Sequence, residues 1–253
     1  MSTDCCKLYD LHNHLLFALD DGAKDSAETA AMLEDAARNN INVIVATPHA
    51  GATVDLAVWQ ERLNICSEMA DQYGIKLLPG AEYNARHFPD APPYLTLGGV
   101  KKGFVLMDFR LPSLPPEFTQ CLDDIYNADH QLIIAHPERS FPESTFFELE
   151  KLVDAGVVFQ LTAGSILGAY GRKIRSISWM MLEKNWAKLI ASDAHDVLDR
   201  KNCLAAAYEA IEHHFGAAAA GVLKENAARV VEAPGDNLQK IPCRRKLFGW
   251  LGC

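Results

Sequence analysis

The stretch KLYDLHNH, residues 7–14, closes an apolar run with two histidines spaced two apart. Side chains alternate along an extended strand, so His12 and His14 point the same way and can chelate one ion. Asp10 shares that parity. Seven residues beyond His14 stands Asp21, in ALDDGAKD (residues 18–25), where the chain turns from strand to helix and can reach the same rim. Near the far end, SDAH (residues 192–195) repeats the geometry, with Asp193 and His195 at the same spacing.

Short runs rich in Val, Ile and Leu alternate along the chain with segments of helical periodicity, the pattern of repeated β-α units around a parallel sheet. Seven strands are predicted, near residues 7–14, 42–49, 76–83, 104–109, 131–136, 157–162 and 188–195. Six of them end in a metal-ligand type: His12 with His14, His49, Glu82, Asp108, His136, and Asp193 with His195. The strand at 157–162 offers only Thr162. In parallel β/α architectures the C-terminal strand ends form one rim, where sites assemble from residues distant in sequence. The expectation is an α/β fold, a distorted (β/α)7 barrel in a single domain over residues 1–235. The segment 236–253, DNLQKIPCRRKLFGWLGC, reads as a separate tail. Among the helices, 26–39 is the clearest, with Asp25 or Ser26 as its cap and Ala27, Ala30, Ala31 and Leu33 facing inward.

A chain of 253 residues, 49% hydrophobic, can bury the core of one large barrel. No run of eighteen apolar residues occurs, and MSTDCCKLYD lacks the basic and apolar regions of a signal peptide, so the expected compartment is cytoplasmic. Seven cysteines, an odd number without CxxC spacing, predict reduced thiols and neither a disulfide framework nor a zinc ribbon. A net charge of -9 argues against nucleic acid as a partner. No cysteine is followed six positions on by arginine, and neither GxxxxGK[ST] nor RHG occurs, which removes support for thiolate, nucleotide-triphosphate and phosphohistidine chemistry. His87, His130, His213 and His214 fall outside the strand-end register and receive no metal role.

A lone HxH, or a lone His49 or His136, is more often structural than a ligand. Ligand-type side chains at the corresponding ends of six strands change that balance. Burying them without a cation costs roughly several kcal/mol per unpaired charge. Imidazoles mixed with carboxylates suit manganese, iron or zinc, whereas calcium and magnesium favour an oxygen-only shell. Divalent ions so held bind phosphate oxygens, neutralise developing charge and lower the pKa of a bound water, which suits phosphomonoester hydrolysis by in-line attack.

The ordered motifs DLHNH, DDGAKD, ATPH, GAEY, AHPER and SDAH resemble the PHP superfamily, named for polymerase and histidinol phosphatase. More closely they resemble its bacterial protein-tyrosine phosphatases linked to capsular and exopolysaccharide synthesis, over about residues 9–200. The resemblance implies a PHP barrel with two or three metal ions, manganese being the frequent activator. His12, His14, Glu82 and Asp193 match ligands of one metal; Glu82 bridges to a second that Asp108 and His136 complete; Asp21, His49 and His195 match the third. Arg139 of AHPER and Arg200 after SDAH match arginines that bind the phosphate. It further implies phosphotyrosine as substrate, on the Tyr-rich tail of a bacterial tyrosine kinase. Three positions depart from the family pattern. Asp108 stands where this branch commonly has Glu, AGATVDLAVW follows ATPH in place of a second His and a Gly- and Tyr-bearing loop, and Arg110 replaces a common proline. Two alternatives share much of this reading: another PHP phosphoesterase such as a histidinol phosphatase, and a non-catalytic metal-bound scaffold.

The tail sets Lys240, Arg244, Arg245 and Lys246 before Leu247, Phe248, Trp250 and Leu251. Peripheral docking to an anionic membrane surface or a membrane-bound kinase competes with simple folding back on the barrel. Cys253 is terminal, so the tail is no prenylation box.

Overall fold

The computed structural model describes residues 7–50, 55–88, 94–109, 114, 118–233 and 238–242. Arg110, the loop residues 51–54, and Arg244, Arg245, Lys246, Leu247, Phe248, Trp250, Leu251 and Cys253 of the tail lie outside the described residues.

Among the described residues nine extended segments make the wall: β1 (Leu8–Asn13), β2 (Ile41–Ala46), β3 (His49–Ala50), β4 (Lys76–Pro79), β5 (Glu82–Asn84), β6 (Phe104–Asp108), β7 (Gln131–Ala135), β8 (Val158–Thr162) and β9 (Ala187–Ala191). They pair in the orders β1-β2-β4 and β3-β5-β6-β7-β8-β9, all parallel. β3 continues β2, and β5 continues β4, so the wall has seven strand lines. It closes on itself where the His14 N–H donates to Ala194 O and the Asp193 N–H to His12 O, both at 2.9 Å.

Two of the expected strands, 42–49 and 76–83, are each broken. Pro48 has no N–H for the ladder, and at Gly80 a Cβ would lie 2.7 Å from the Val45 side chain and 3.2 Å from Ala46 O, so the chain packs closely there. The breaks leave His49 beside Glu82 in register. β1 holds a second departure. Its register slips between Asp10 and Asn13, and the alternation slips with it. Tyr9 and Leu11 join an inner apolar cluster with Val43, Val45, Leu106, Ile133 and Leu189, while Leu8 joins the outer cluster that packs under the helices. Asp10 therefore does not share the parity of His12 and His14, contrary to the sequence expectation.

The helices are α1 (Ser26–Arg38), α2 (Leu56–Gln72), α3 (Phe118–Asn127), α4 (Pro137–Ser140), α5 (Phe146–Asp154), α6 (Ala163–Leu167), α7 (Arg172–Glu183), α8 (Leu204–Phe215) and α9 (Ala217–Glu232). Asp25 caps α1, its carboxylate accepting from the N–H groups of Ala27 and Glu28. The buried face of α1 is Thr29, Met32, Leu33 and Ala36, an i, i+3, i+4, i+7 stripe. Ala27 is exposed and Ala30 and Ala31 are half-buried, because Met32 and Thr29, not the alanines, set the rotation of the helix. α9 lies across the N-terminal end of the barrel, where Ala227 and Val230 meet the inner cluster. Beyond it, Leu238 and Ile241 are buried and Asn226 clamps Gln239 by two backbone hydrogen bonds. No described helix is long and apolar enough to cross a membrane.

Candidate metal centre

At the opposite end, the strand termini deliver imidazoles and carboxylates to one place. The orientation of three histidines is fixed by what their Nδ1 atoms meet. His12 Nδ1 lies 3.0 Å from Gln160 Oε1, His14 Nδ1 2.7 Å from Asp20 Oδ2, and His195 Nδ1 3.0 Å from the Asp193 carbonyl. Each of those oxygens only accepts, so each Nδ1 carries a proton, and in the neutral ring each Nε2 presents a lone pair inward. The Nε2 atoms of His12 and His14 sit 3.0 Å apart. Glu82 Oε2 lies 3.3 and 3.4 Å from them, and Asp193 Oδ1 3.5 and 3.6 Å. Four acceptors thus converge with no donor between them.

The other histidines extend the cluster. His136 Nε2 is 2.9 Å from Glu82 Oε1, and its Nδ1 is 3.7 Å from Asp108 Oδ1. His49 places Nδ1 2.8 Å from Glu82 Oε2 and Nε2 3.1 Å from Asp21 Oδ1, which is also 3.4 Å from His195 Nε2. Three groups have ligand atoms within 4.8 Å of one another: His14, Asp21, His49 and His195; His12, Glu82 and His136; and His12, His14 and Asp193. Asp108 is the one sequence-expected ligand outside these groups. It is buried at the pocket wall, and its carboxylate is one methylene shorter than that of Glu.

The donor set fits divalent cations. Glu82 Oε2 and His195 Nε2 are buried among ring nitrogens and carboxylates without a well-formed hydrogen bond, and buried polar atoms are rarely left so. The titration tendencies agree. Burial opposes charge on His14, yet Asp20 and Glu82 outweigh it and push its pKa up to about 10. Burial would raise Glu82, but the positive field of His12 and contacts from His136 and His14 hold it well below the carboxylate range. The pocket demands positive charge. His195 is the reverse case: burial first, then the charges of His14 and Arg200, press it down to about 3, leaving a neutral imidazole.

Two residues of the centre sit in left-handed backbone conformations, His136 at φ 36° and Asp193 at φ 55°. Such positions carry strain that surrounding contacts must offset, and they gather at functional sites. Asp193 then faces two ways. Its Oδ1 looks toward His12 and His14, while its Oδ2 accepts from Arg139 and, at 2.9 Å, from Arg200. Both guanidiniums line the same pocket of about 700 Å³ as Asp21, His49, Glu82 and Asp108. Cys66, Cys121 and Cys203 are free thiols outside it.

All nine expected ligands and both arginines are therefore brought to one rim. Four contributors escaped the sequence reading. Asp20 was visible as half of the DDG doublet, but which aspartate reaches back to His14 depends on the path of the turn. Gln160, on the one strand that offered no ligand at its end, was legible only as an odd polar residue in an apolar run. Gly22 and Tyr170 carry no periodic signal.

Fold and site together define a parallel β/α-barrel protein with a cluster of imidazoles and carboxylates able to hold metal ions, and paired arginines, at its C-terminal rim. The chain belongs to the CpsB/CapC family of capsular polysaccharide synthesis, whose profile matches residues 8–232. It is 31% identical to the tyrosine-protein phosphatase YwqE of Bacillus subtilis strain 168, over 96% of this chain and 100% of that one. It is 24% identical to the tyrosine-protein phosphatase CpsB of Streptococcus pneumoniae, over 83% and 92%. A crystal structure from work on YwqE and CpsB, described as metal-dependent tyrosine phosphatases, superposes with a TM-score of 0.82 at 27% identity, covering 94% of this chain and 100% of that one.

Proposed function

We propose that this chain is a metal-dependent phosphotyrosine-protein phosphatase acting in capsule or exopolysaccharide synthesis. One observation carries the reading: a ligand cluster rich in acceptors and two permanently charged guanidiniums meet in one open pocket, at Asp193. In this reading His12, His14, Glu82 and Asp193 hold one ion, Glu82, His136 and Asp108 a second, and Asp21, His49 and His195 a third. When bound, divalent ions supply an activated water and neutralise charge on the phosphoryl group. Arg139 and Arg200 bind its remaining oxygens with planar, fixed-charge donors and exchange their contacts with Asp193 for contacts with the anion. Asp20 and Gln160 hold the rings of His14 and His12 with their Nε2 atoms inward. A phenolate leaves more readily than an alkoxide, so an aryl ester is a suitable substrate.

Manganese is the proposed activator, since the mixed nitrogen and oxygen donors suit it, iron or zinc. The proposed protein substrate is a bacterial tyrosine kinase, reached in the cytoplasm.

The test measures phosphate release from a phosphotyrosine peptide, histidinol phosphate and p-nitrophenyl phosphate, before and after exhaustive chelation and on adding back each metal. Expected are preference for the phosphotyrosine peptide, at least 100-fold loss on chelation (about 2.7 kcal/mol or more of transition-state stabilisation), and best recovery with manganese. Activity that survives chelation, or preference for histidinol phosphate, overturns the proposal.

A further inference from the structure

We propose that Tyr170 is the specificity-determining residue that favours aryl over alkyl phosphates, by packing its ring against the ring of the substrate at the pocket mouth. The proposal rests on the phosphotyrosine reading above. Every other described residue lining the pocket is an Asp, Glu, His, Arg or Ser, so among the described residues Tyr170 alone supplies a carbocyclic surface there. It is 37% exposed and lines the pocket.

The ring is held in place rather than merely near. Residues 168–171 form a tight reversal between α6 and α7, with Gly168 at φ 95° and Gly171 at φ 89°. The N–H groups of Gly168 and Ala169 both donate to Gly164 O, at 3.0 and 2.9 Å, and the Gly171 N–H donates to Gly168 O at 3.0 Å. A Cβ on Gly164 would come within 3.3 Å of Tyr170 Cε2, so the absent side chain leaves the space the ring uses. On the ring lies the Arg139 guanidinium carbon, 4.6 Å from the centroid.

That stack sets the geometry of recognition. A phosphate oxygen that accepts from Arg139 brings the ester oxygen, and the group attached to it, beside Tyr170. An aryl group there meets an aromatic surface and gains the interaction of a ring pair. An alkyl group meets the same surface with nothing to stack. The expected discrimination is about three- to tenfold. The hydroxyl has no part in it.

The experiment measures calorimetric binding of phenylphosphonate and methylphosphonate to the full, metal-loaded chain, and kcat/KM on phosphotyrosine and phosphoserine peptides of one sequence. Wild type and Tyr170→Phe are expected to favour the phenyl ligand by about three- to tenfold; Tyr170→Leu is expected to lose that ratio. Parallel losses on both ligands, which leave the ratio in place, overturn the proposal, since the ring would then only prop Arg139. A phenyl preference lost in Tyr170→Phe overturns it too. Wild type that keeps the phenyl preference in binding but hydrolyses neither peptide overturns the phosphatase reading and supports the role of Tyr170.

Discussion

Gly22 is where a single missing side chain shapes the centre. A Cβ there would lie 2.0 Å from the carbonyl oxygen of His14 and 2.6 Å from its Cβ. The Ala23 N–H donates to that same carbonyl at 3.1 Å, so residues 18–23 press flat against the end of β1. This brings Asp20 to His14 Nδ1 and to the His49 N–H, and Asp21 to His49 and His195. Gly22→Ala is expected to push the turn outward, to cost about 2–3 kcal/mol of stability by overpacking, and to lower metal content at the position of Asp21, His49 and His195. Urea denaturation with metal analysis on the same protein checks both; wild-type metal content with wild-type stability would show that the turn yields freely. The doublet itself was legible as a carboxylate-bearing turn after a strand. The division of labour inside it was not, because a contact with the His14 carbonyl, made through the fold, decides which aspartate points where.

Among the elements, β1 and β9 matter most, for they close the barrel and carry Asp10, His12 and His14 on one side and lead into Asp193 and His195 on the other. Asp10 is the clasp. Its buried carboxylate accepts from the Ser192 N–H at 2.9 Å, the Ser192 hydroxyl at 2.6 Å, Asn13 Nδ2 at 3.0 Å and Asn202 Nδ2 at 2.9 Å. Burial raises its pKa, and the hydrogen bonds from Ser192 and Asn13 pull the other way. Asp10→Ala leaves several buried donors without an acceptor, a loss of at least about 3 kcal/mol, and is expected to lower the melting temperature while the ligands keep their identity. A melting curve of the metal-loaded variant checks it; an unchanged midpoint would mean that closure rests on the backbone bonds alone. At this scale the strands and their polar ends were readable, since apolar runs and ligand types are local properties. The bulge in β1 was not, and strict alternation put Asp10 with the histidines. The breaks at Pro48 and Gly80 were likewise hidden, because a continuous apolar run reads as one strand until the neighbouring backbone it meets is known.

For the whole molecule the question is where the barrel ends. Residues 238–242 behave as part of it: Leu238 and Ile241 are buried, and Asn226, itself buried in α9, accepts from the Gln239 N–H at 2.7 Å and donates to Gln239 O at 2.9 Å and to Lys188 O at 3.0 Å. One side chain thus ties the last described segment to α9 and to β9. Two truncations separate structure from docking. Ending the chain after residue 242 keeps Leu238, Ile241 and every proposed ligand, so hydrolysis of a small aryl phosphate is expected to match the full chain. Ending it after residue 238 strips Ile241 from the outer cluster and leaves Asn226 with one of its three backbone partners. The expected loss is about 3 kcal/mol, from burial of one Ile side chain plus two hydrogen bonds, seen as a lower urea midpoint, with turnover of the small substrate still intact at low temperature because the proposed ligands lie at the opposite end. Sedimentation with anionic liposomes and dephosphorylation of a tyrosine-kinase tail, both measured on the chain ending at residue 242, then test the basic and apolar residues 243–253. Loss of either supports docking through the tail. If neither changes, the docking idea fails.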